Sequence, residues 1–577
     1  MQFVRRFPLP ALFCALAVLL CELISHPFVT MGIADDAPYI LMVQKLAATG
    51  HIVYNGWAAP MLGWQLYLGA AFLKLFGYSM TTVRMSTLLV AMALAFLLQR
   101  TLVRANISER NATIGTLALV LSPLYLMLSV TFMTDIQGLF AIVLCLYGCL
   151  RALQSSTSRS TIAWLCFAVT ANAFFGTSPQ IAWLGTLVMV PSTLWLLRAQ
   201  RRVFIAGLAI TLAGVVFIFA CLHWLSHQPY VVPSIPPHLT IHTFPLIHTL
   251  SQLTHLYLDL PYLLLPIAAL FLPEIRKSRP VVIGVLSALL LGYILLALHT
   301  NHSNHPPIFV LEPTNGDWAS VYGTYAGMIC LSKPPLFFDT GARVLLTILS
   351  LGGLLGLISS FFLRSPEALP PASPSPCISW KQLGILFVPF TLAYTLLLIP
   401  LSTIALFDRY LLGPMVLVLL CLLRYYQDRI QSQLPLNSLL LIAIVAVVGV
   451  AMTHNMFALY RARVAIADEV RNHGVPDTAV NYGWEYNLSV ELQHAVTIND
   501  YRIVLPEHTY AVVPPTPEGI CQTWWNDKTP HIHALYGLTY DPNTCKGPAP
   551  FAPVTYSQWL ASPATLYIVK YIDPSNP

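Results

Sequence analysis

The stretch LPALFCALAVLLCELISHPF, residues 9–28, is an almost unbroken apolar run that contains a single acid, Glu22. Its length is about the 20 residues that an α-helix needs to cross a bilayer. Shortly after it, in MGIADDAPYILM, residues 31–42, two acids stand side by side, Asp35 and Asp36. This order predicts a membrane-spanning helix that ends next to a pair of carboxylates.

The whole chain is too apolar to form one soluble core. Of its 577 residues, 56% are hydrophobic and 9% are charged, a composition typical of integral membrane proteins. Apolar segments of spanning length recur as far as Met456, and we predict about thirteen transmembrane helices by that length criterion. The predicted spans are residues 9–28, 82–99, 113–130, 137–153, 162–176, 181–197, 204–225, 257–273, 281–298, 344–363, 383–404, 411–425 and 436–456.

The distribution of basic residues predicts the orientation of these spans. Short cytoplasmic loops carry an excess of Lys and Arg; Arg5 and Arg6 precede the first span, and basic residues recur in every second predicted loop. The N-terminus is therefore predicted in the cytoplasm, and the acid pair on the extracytoplasmic face of a plasma (inner) membrane. The small-x-small triplet at 32–34 leaves a cleaved signal open, but the long first run favours an uncleaved anchor. The apolar segment 60–77 contains Lys74 and precedes no basic cluster, so we interpret it as a helix at the outer interface.

The sequence divides into a membrane part and a C-terminal tail. A Pro-rich stretch, residues 365–377, predicts a cytoplasmic linker within the membrane part. After Met456 charges return, with an amphipathic helical pattern at 463–474 followed by strand-like runs. We predict a transmembrane domain at 1–456 and a small extracytoplasmic α/β domain at 457–577, which is a normal domain size. The strand-like runs are residues 478–483, 501–505, 509–514 and 565–572.

Three of the 11 cysteines lie in predicted outer segments, namely Cys330, Cys521 and Cys545. An oxidising compartment allows Cys521 and Cys545 to pair. Their spacing alone does not establish the bridge.

Charged residues gather in the predicted outer loops. Besides the acid pair, Asp135 opens the second such loop in TFMTDIQGLF, and Asp408 and Arg409 stand in FDRYLLGP after the eleventh span. A reaction at the membrane surface needs a carboxylate as base, a second acid to orient it or hold a metal, and an Arg for a phosphate leaving group. Within the spans, Glu22 is the one clear acid, whereas ion-coupled transporters place ionisable residues at mid-membrane. The scarcity of such residues speaks against an ion-coupled transporter. The alternative function is still a multi-span lipid or sugar transporter or flippase without transferase chemistry, which would share the many-span outline.

Several short motifs, in order along the chain, resemble those of the GT-C glycosyltransferases. They are most similar to the branch that contains the protein O-mannosyltransferases and the lipid A aminoarabinose transferases. The resemblance covers the whole chain and implies the GT-C fold. The residues that carry it are Asp35, Asp36 and Tyr39, then Gly50, Trp57 and Pro60, LFGYSMTTVRMST at 75–87, Asp135, and RYLLGP at 409–414.

The resemblance implies an inverting transferase that takes a sugar from a polyprenyl phosphate carrier. The acceptor is a lipid A, another glycolipid, a polysaccharide or a protein on the extracytoplasmic side. In the family, the first acid of the loop pair is the proposed base, which is Asp35 here; Asp36 is then the second carboxylate and Asp135 a supporting acid. A fixed guanidinium stabilises the charge of a leaving phosphate. The residues that we predict to bind the donor phosphate are Arg409, Tyr410, Lys74 and Arg84.

The chain departs from that branch at three places. Relatives of the aminoarabinose type carry a Lys before the Pro of the first outer loop, where this chain has WAAP at 57–60. They also carry a basic residue after the acid pair, where this chain has Ala37, and Gly413 is inserted before the Pro of the late motif. These differences leave the sugar and the acceptor open.

Each site residue also has a purely structural explanation. The acid pair is alternatively a solvated cap at the end of a span, and Asp135, beside Thr134, an N-cap of the next span. Arg409 is alternatively an interfacial anchor paired with Asp408 on the surface, and Tyr410 an interfacial aromatic. Glu22 is more simply a polar contact inside the bundle.

Histidine is concentrated in two predicted outer loops. Imidazole and carboxylate ligands suit zinc, yet the spacing matches no tetrahedral template. We therefore assign no metal ligands and no certain cofactor, and leave open a divalent metal ion at Asp35 and Asp36. The expected partners are the polyprenyl-phosphate-linked sugar donor, the acceptor and the lipid bilayer, with no nucleic acid. The histidines in or beside these loops are His223, His227, His238, His242, His248, His255, His299, His302 and His305.

Overall fold

The computed structural model describes most of the chain, and helices dominate it. The described residues are 8–57, 60–233, 246–277, 318–320, 331–363, 378–401, 406–513, 521, 523 and 525–571, with short pieces between 280 and 292. The α-helices are α1 (Leu9–Ser25), α2 (Asp36–Thr49), α3 (Gly63–Phe76), α4 (Met80–Arg104), α5 (Glu109–Val120), α6 (Pro123–Ser129), α7 (Asp135–Leu153), α8 (Ser158–Phe175), α9 (Val190–Leu196), α10 (Arg201–Ser226), α11 (Leu246–Leu258), α12 (Leu260–Leu263), α13 (Leu265–Ala268), α14 (Thr340–Leu363), α15 (Trp380–Leu401), α16 (Leu412–Arg429), α17 (Asn437–Asn472) and α18 (Trp484–Ala495). A π-helix spans Gly185–Met189, and short 3₁₀ helices span Gln180–Trp183, Ala269–Lys277, Asp408–Leu411, Asp477–Ala479 and Asn526–Lys528.

The described part of the chain contains seven helices that are long and apolar enough to cross a membrane, or up to nine spans if each of two bent helix pairs counts as one. The chain is thus a polytopic α-helical membrane protein, as its composition predicts. The seven are Met80–Arg104, Asp135–Leu153, Arg201–Ser226, Gly341–Phe361, Trp380–Leu401, Asp408–Arg429 and Asn437–Asn472. The bent pairs are Glu109–Val120 with Pro123–Ser129, at 69°, and Leu246–Leu263 with Leu265–Lys277, at 73°.

The remaining predicted spans fall on shorter or undescribed segments. Residues 9–28 and 181–197 correspond to the shorter apolar helices Leu9–Ser25 and Gln180–Leu196, and residues 162–176 correspond to α8. The predicted span 281–298 lies mostly outside the described residues. The count of thirteen therefore stays a prediction.

The predicted span 113–130 is broken in its middle, between α5 and α6. Pro123 is the first residue of α6, and the side chain of Ser122 accepts the backbone N–H of Tyr125 as a cap. Proline lacks the N–H that a continuous helix would use at this point, so a new helix starts there. The apolar run predicts the length of the span but not this bend of 69°.

Helix α3 lies within the apolar segment 60–77 that we excluded from the spans. It has 14 residues, about 21 Å at the rise of an α-helix, whereas the hydrocarbon core is about 30 Å thick. Gly77, with φ of 82°, ends it. The helix is thus too short for a perpendicular span, which agrees with its interpretation as an interfacial element.

Burial separates the centre of the bundle from its periphery. In the spans Asp135–Leu153 and Asp408–Arg429, 72% of the most apolar window is buried, whereas in Arg201–Ser226 the share is 28%. The first two spans therefore lie in the core of the bundle, and the third lies at its periphery. Both core spans begin at residues that the sequence places in the candidate site.

The tail is joined to the bundle by one long helix. Helix α17 has 36 residues, so the amphipathic segment predicted at 463–474 continues the last span without a break. The predicted boundary between residues 456 and 457 falls inside this helix, and the division into two domains stays a prediction. The helix ends at Asn472, shortly before Gly474, whose φ is 81°.

A four-stranded sheet follows, in the order β1-β2-β4-β3. Strand β1 (Val480–Asn481) pairs parallel with β2 (Tyr536–Thr539), and the other pairings, to β4 (Ala564–Lys570) and β3 (Val554–Tyr556), are antiparallel. The runs at 478–483 and 565–572 contain β1 and most of β4, but those at 501–505 and 509–514 form no strand in their described residues. Their apolar residues lie in loops, with Val504 and Val512 exposed.

Cys521 and Cys545, whose pairing the sequence leaves open, form a disulfide with Cα atoms 5.9 Å apart. Cys330 lies outside the described residues. The bridge closes a loop of 24 residues within the tail.

The Cys521–Cys545 disulfide and its contribution to the stability of the tail can both be measured. We expect peptide mapping of the unreduced protein to recover a cross-linked peptide with Cys521 and Cys545, and Cys521→Ser to destabilise the tail by about 3 kcal/mol, the order expected for a loop of this size. Cys421→Ser, which changes an unpaired cysteine, is the control. Alkylation of both tail thiols before any reduction would contradict the bridge.

Candidate active site

The two adjacent acids stand at the start of α2 and have different surroundings. Asp35 precedes the first helical residue and is partly exposed, whereas Asp36 opens the helix and is fully buried. Successive residues of a helix point about 100° apart, since each turn has about 3.6 residues. The two neighbouring carboxylates therefore face different parts of the molecule.

Asp36 forms a buried ion pair with Arg84 of α4. Arg84 Nε donates to Asp36 Oδ2 at 2.8 Å, and its Nη2 donates to Oδ1 at 3.1 Å. Both side chains are fully buried. Further hydrogen bonds reach Asp36 from the backbone N–H groups of Ile33, at 2.8 Å, and Phe132, at 3.3 Å. All four acceptor positions of a carboxylate are thereby in use.

Arg84 is equally committed to the loop before α2. Its Nη1 donates to the carbonyl of Val29 at 3.2 Å, and its Nη2 to that of Met31 at 2.6 Å. A guanidinium in this position does not reach a donor phosphate without breaking a buried pair, which costs about 3–5 kcal/mol. Both side chains are thus engaged in the buried pair, and the predicted roles of Asp36 as a second catalytic carboxylate and of Arg84 as a phosphate ligand stay predictions that would require the pair to open.

Asp135 and Arg409, by contrast, meet as the sequence analysis requires. Asp135 is the first residue of α7, and Arg409 lies in the 3₁₀ turn that leads into α16. Arg409 Nη1 lies 3.6 Å from Asp135 Oδ2, and the two side chains are 13% and 11% exposed. The N-cap position of α7 is held by Thr134, which makes no side-chain capping bond. Asp135 is thus an ion-pair partner of Arg409 and not the cap residue.

Two aromatic rings hold the guanidinium of Arg409 in place. It lies 4.8 Å from the ring of Phe407 and 5.6 Å from that of Tyr410. Tyr410 is fixed in turn, because Tyr394 donates a hydrogen bond to its carbonyl at 2.9 Å. The predicted Tyr410 therefore stands beside Arg409, and the cation is held between side chains and not extended into solvent.

Asp408 supports the same turn from the other side. Its Oδ2 accepts the backbone N–H of Ala319 at 2.7 Å, and the backbone N–H of Trp318 also donates to the carboxylate. Asp408 and Trp318 are both buried. The pair of Asp408 with Arg409 is accordingly not a surface pair: Asp408 binds the backbone of a distant segment and holds Arg409 toward Asp135.

Asp35 completes the cluster. Burial raises the pKa of its carboxyl above the ordinary value of 3.8, and the nearby positive charge of Arg409 opposes this shift. The negative charges of Glu485 and Asp135 raise the pKa further, and a hydrogen bond from Trp484 lowers it. Three of the predicted residues, Asp35, Asp135 and Arg409, are therefore close enough to act on one another electrostatically.

Lys74, like the Asp36–Arg84 pair, is not among the residues of this cluster. It stands in the last turn of α3 with an exposed side chain. Among the described residues it forms no ion pair with an acid.

The sequence analysis missed the residues that the tail contributes. Trp484 and Glu485, the first two residues of α18, lie beside Asp35, and Glu485 is fully buried. Its Oε1 accepts from the hydroxyl of Tyr460 at 2.5 Å, and its Oε2 from Arg463 Nη1 at 2.9 Å. The available signal was the spacing of Tyr460 and Arg463, three residues apart and so on one face of a helix.

The fold and this geometry can be set beside known proteins. No family model and no curated protein matches the chain. Solved glycosyltransferases are among its structural matches. They include ArnT and a protein O-mannosyltransferase, the two branches that the sequence motifs resemble.

The matches differ in how much of each chain they cover. ArnT from Cupriavidus metallidurans, bound to undecaprenyl phosphate, superposes with a TM-score of 0.39 and 12% identity over 98% of each chain. The Pmt1-Pmt2 O-mannosyltransferase complex of S. cerevisiae gives 0.32 and 13% identity over 39% of this chain, which spans 34% of that chain. The Archaeoglobus fulgidus oligosaccharyltransferase gives 0.42 and 14% identity, over 92% of this chain and 65% of that one. These superpositions are too loose to align single side chains.

A divalent metal at the acid pair does not fit the residues present. The four acceptor positions of Asp36 are occupied by Arg84 and two backbone N–H groups, so only Asp35 remains as a ligand there. The described residues contain no group of three or more His, Cys, Asp or Glu that could hold a metal. Another structure of the A. fulgidus oligosaccharyltransferase contains Zn and sulfate. Of the histidines in or beside the two predicted outer loops, five lie outside the described residues, namely His238, His242, His299, His302 and His305.

The contrast between the two acids gives a second prediction. We expect Asp36→Asn to lower the free energy of unfolding by about 3–5 kcal/mol, because it leaves Arg84 buried without a counter-charge, and Asp35→Asn to change it by less than about 1 kcal/mol. Thermal unfolding of the detergent-purified variants measures both. Equal melting temperatures for the two variants would contradict a structural role for Asp36.

Proposed function

We propose that this chain is a membrane glycosyltransferase that moves a sugar from a polyprenyl phosphate carrier to an acceptor on the extracytoplasmic face of the plasma membrane. The observation that carries the proposal is the meeting of Asp35, Asp135 and Arg409, which come from three distant segments. The motif resemblance to the GT-C enzymes supports the choice of reaction. The lipid A, glycolipid, polysaccharide and protein classes of acceptor stay open.

Asp35 is the general base of the proposed reaction. A sugar or protein hydroxyl is a poor nucleophile near neutral pH, so a carboxylate must take its proton as the new bond forms. Burial raises the pKa of Asp35, which makes its carboxylate a stronger base than that of an exposed aspartate. Because Asp36 is bound to Arg84, the reaction uses one carboxylate of the pair and not two.

Arg409 is the proposed partner of the donor phosphate. The acceptor oxygen attacks the anomeric carbon, the bond from that carbon to the phosphate oxygen breaks, and the leaving polyprenyl phosphate gains negative charge. A fixed guanidinium stabilises that charge, and the rings of Phe407 and Tyr410 fix this one. The guanidinium also lies 3.6 Å from Asp135 Oδ2, so it stands among the residues of the proposed site. One direct displacement inverts the anomeric centre.

The position of the cluster suits a lipid-linked donor. Asp135 opens the candidate span Asp135–Leu153, and Arg409 lies in the first turn of Asp408–Arg429. Both charges therefore stand where helices leave the apolar layer. A polyprenyl chain in the bilayer would present its phosphate and sugar at this depth.

The orientation of the chain is part of the proposal. The excess of Lys and Arg in alternate loops favours a cytoplasmic N-terminus. The Cys521–Cys545 disulfide supports an oxidising compartment for the tail. The site and the tail would then both be extracytoplasmic.

The transporter alternative would depend on residues in the middle of the bundle, such as Glu22. Glu22 accepts hydrogen bonds from Ser25 and Ser129, each at 3.1 Å. These contacts link α1 to α6 and account for the residue as a polar contact inside the bundle. Glu22 is therefore not needed as a substrate or ion site.

The base assignment is tested in cells. We expect mass analysis of surface lipids and glycans to show a modified product with the wild-type chain and none with Asp35→Asn, since loss of a general base typically costs 10²–10⁴-fold. Asp541→Asn, which changes an exposed aspartate of the tail, should retain the product. Full modification by the Asp35→Asn variant would remove Asp35 as the base.

The phosphate assignment is tested by binding. We expect Arg409→Gln to weaken binding of undecaprenyl phosphate to the purified protein by about tenfold or more, which corresponds to the loss of one hydrogen bond to a charged group. Lys74→Gln should bind as the wild type does. The opposite pattern, with binding lost in the Lys74 variant and kept in the Arg409 variant, would transfer the phosphate site to α3.

A further inference from the structure

The start of α18 packs directly against the loop that carries Asp35. Trp484 is 5% exposed, and its side chain donates a hydrogen bond to the Asp35 carboxylate. Its ring lies 5.0 Å from that of Trp57 and 6.2 Å from that of Trp525. The indole is thus held between Trp57, which follows α2, and Trp525 of the tail, and these two contacts fix its direction.

The next residue, Glu485, reaches the same loop by a second route. The hydroxyl of Tyr460 donates to Glu485 at 2.5 Å and accepts the backbone N–H of Ala34 at 3.4 Å. Arg463 donates to the other oxygen of Glu485 at 2.9 Å and to the carbonyl of Tyr482 at 3.0 Å. Tyr460, Arg463 and Glu485 are all fully buried. A continuous chain of contacts therefore runs from the tail to the residue before Asp35.

The backbone at Ala34 needs such support. Its φ is 49°, in the left-handed region that a residue with a Cβ atom rarely adopts and that costs about 1–3 kcal/mol. From one side, the Asp36–Arg84 pair binds residues 29–33. From the other side, Tyr460 binds the N–H of Ala34.

We propose that the tail completes the active site, with Trp484 and Glu485 as positioning residues for Asp35. Trp484 acts directly on the carboxylate, and Glu485 acts through Tyr460 on the backbone of Ala34. An indole N–H is a donor only, so it occupies one lone pair of Asp35 and leaves the other oxygen to take the proton of the acceptor. This inference rests on the proposed function, because it assumes that Asp35 is the base.

The sign of the pH effect follows from the hydrogen bond. A donor to the carboxylate favours the ionised form and lowers the pKa of Asp35. Removing the donor raises that pKa, so a larger fraction of the base is protonated at a given low pH. The acid limb of the pH–rate profile must therefore move to higher pH when Trp484 loses its N–H.

The test uses the full-length enzyme added to membranes of cells that lack it, which supply their own donor and acceptor lipids, with the product followed by mass. We expect Trp484→Phe to lose about tenfold in rate on the acid limb, the size of one hydrogen bond to a charged group, and much less on the high-pH plateau. Tyr486→Phe is the matched control: it changes the same helix, but its hydroxyl binds Arg471 at 2.7 Å on an exposed face. Its acid limb should stay where the wild-type limb is.

The outcomes separate the inference from the function on which it rests. A wild-type enzyme that makes no product overturns the proposed function itself. An active wild type with an unmoved acid limb in Trp484→Phe overturns only the role of Trp484, because a purely structural loss would lower the rate equally at all pH values. Tyr460→Phe keeps the ring and removes the hydroxyl; we expect a lower kcat with KM retained, and an unchanged kcat would overturn the role of Glu485.

Discussion

The buried ion pair between Asp36 and Arg84 is the interaction on which the candidate site depends. Taking two charges out of water costs several kcal/mol per ion unless every lone pair and donor finds a partner. Here the partners are backbone groups of the loop between α1 and α2, and the N–H of Phe132 shortly before α7. The same bonds that compensate the buried charges therefore fix the path of the loop, and with it the place of Asp35.

The adjacent acids Asp35 and Asp36 consequently have different roles. Asp36 is turned inward and shares its charge with one guanidinium, whereas Asp35 is turned toward Asp135, Arg409 and Glu485. A pair of carboxylates that both faced one cavity would repel each other and raise one another's pKa. In this structure burial is the main cause that raises the pKa of Asp35, and the positive charge of Arg409 opposes the rise. In the proposed reaction, proton transfer then depends on one carboxylate of the pair, Asp35.

The sequence predicted what depends on composition and order along the chain, and missed what depends on distant contacts. The spans follow from apolar runs, and the meeting of Asp35, Asp135 and Arg409 from their positions at span ends. The roles of Asp36 and Arg84 did not follow, because the partner of a charge 48 residues away is not written in its spacing. Trp484 and Glu485 were missed for the same reason, since they lie in the tail. The predicted tail boundary falls inside a helix, because the last span changes from apolar to amphipathic while the helix continues through both patterns.

That continuous helix explains how a tail can take part in chemistry at the membrane. Helix α17 has 36 residues, about 54 Å at 1.5 Å per residue, so its apolar half belongs to the bundle and its last turns belong to the tail. Tyr460 and Arg463 lie just beyond the apolar half, and each donates a hydrogen bond to Glu485. A tail on a flexible linker would hold Trp484 near Asp35 only part of the time, at the entropic cost of closing that linker. A rigid helix that carries both the last span and the ligands of Glu485 places the start of α18 against Asp35 as a consequence of folding.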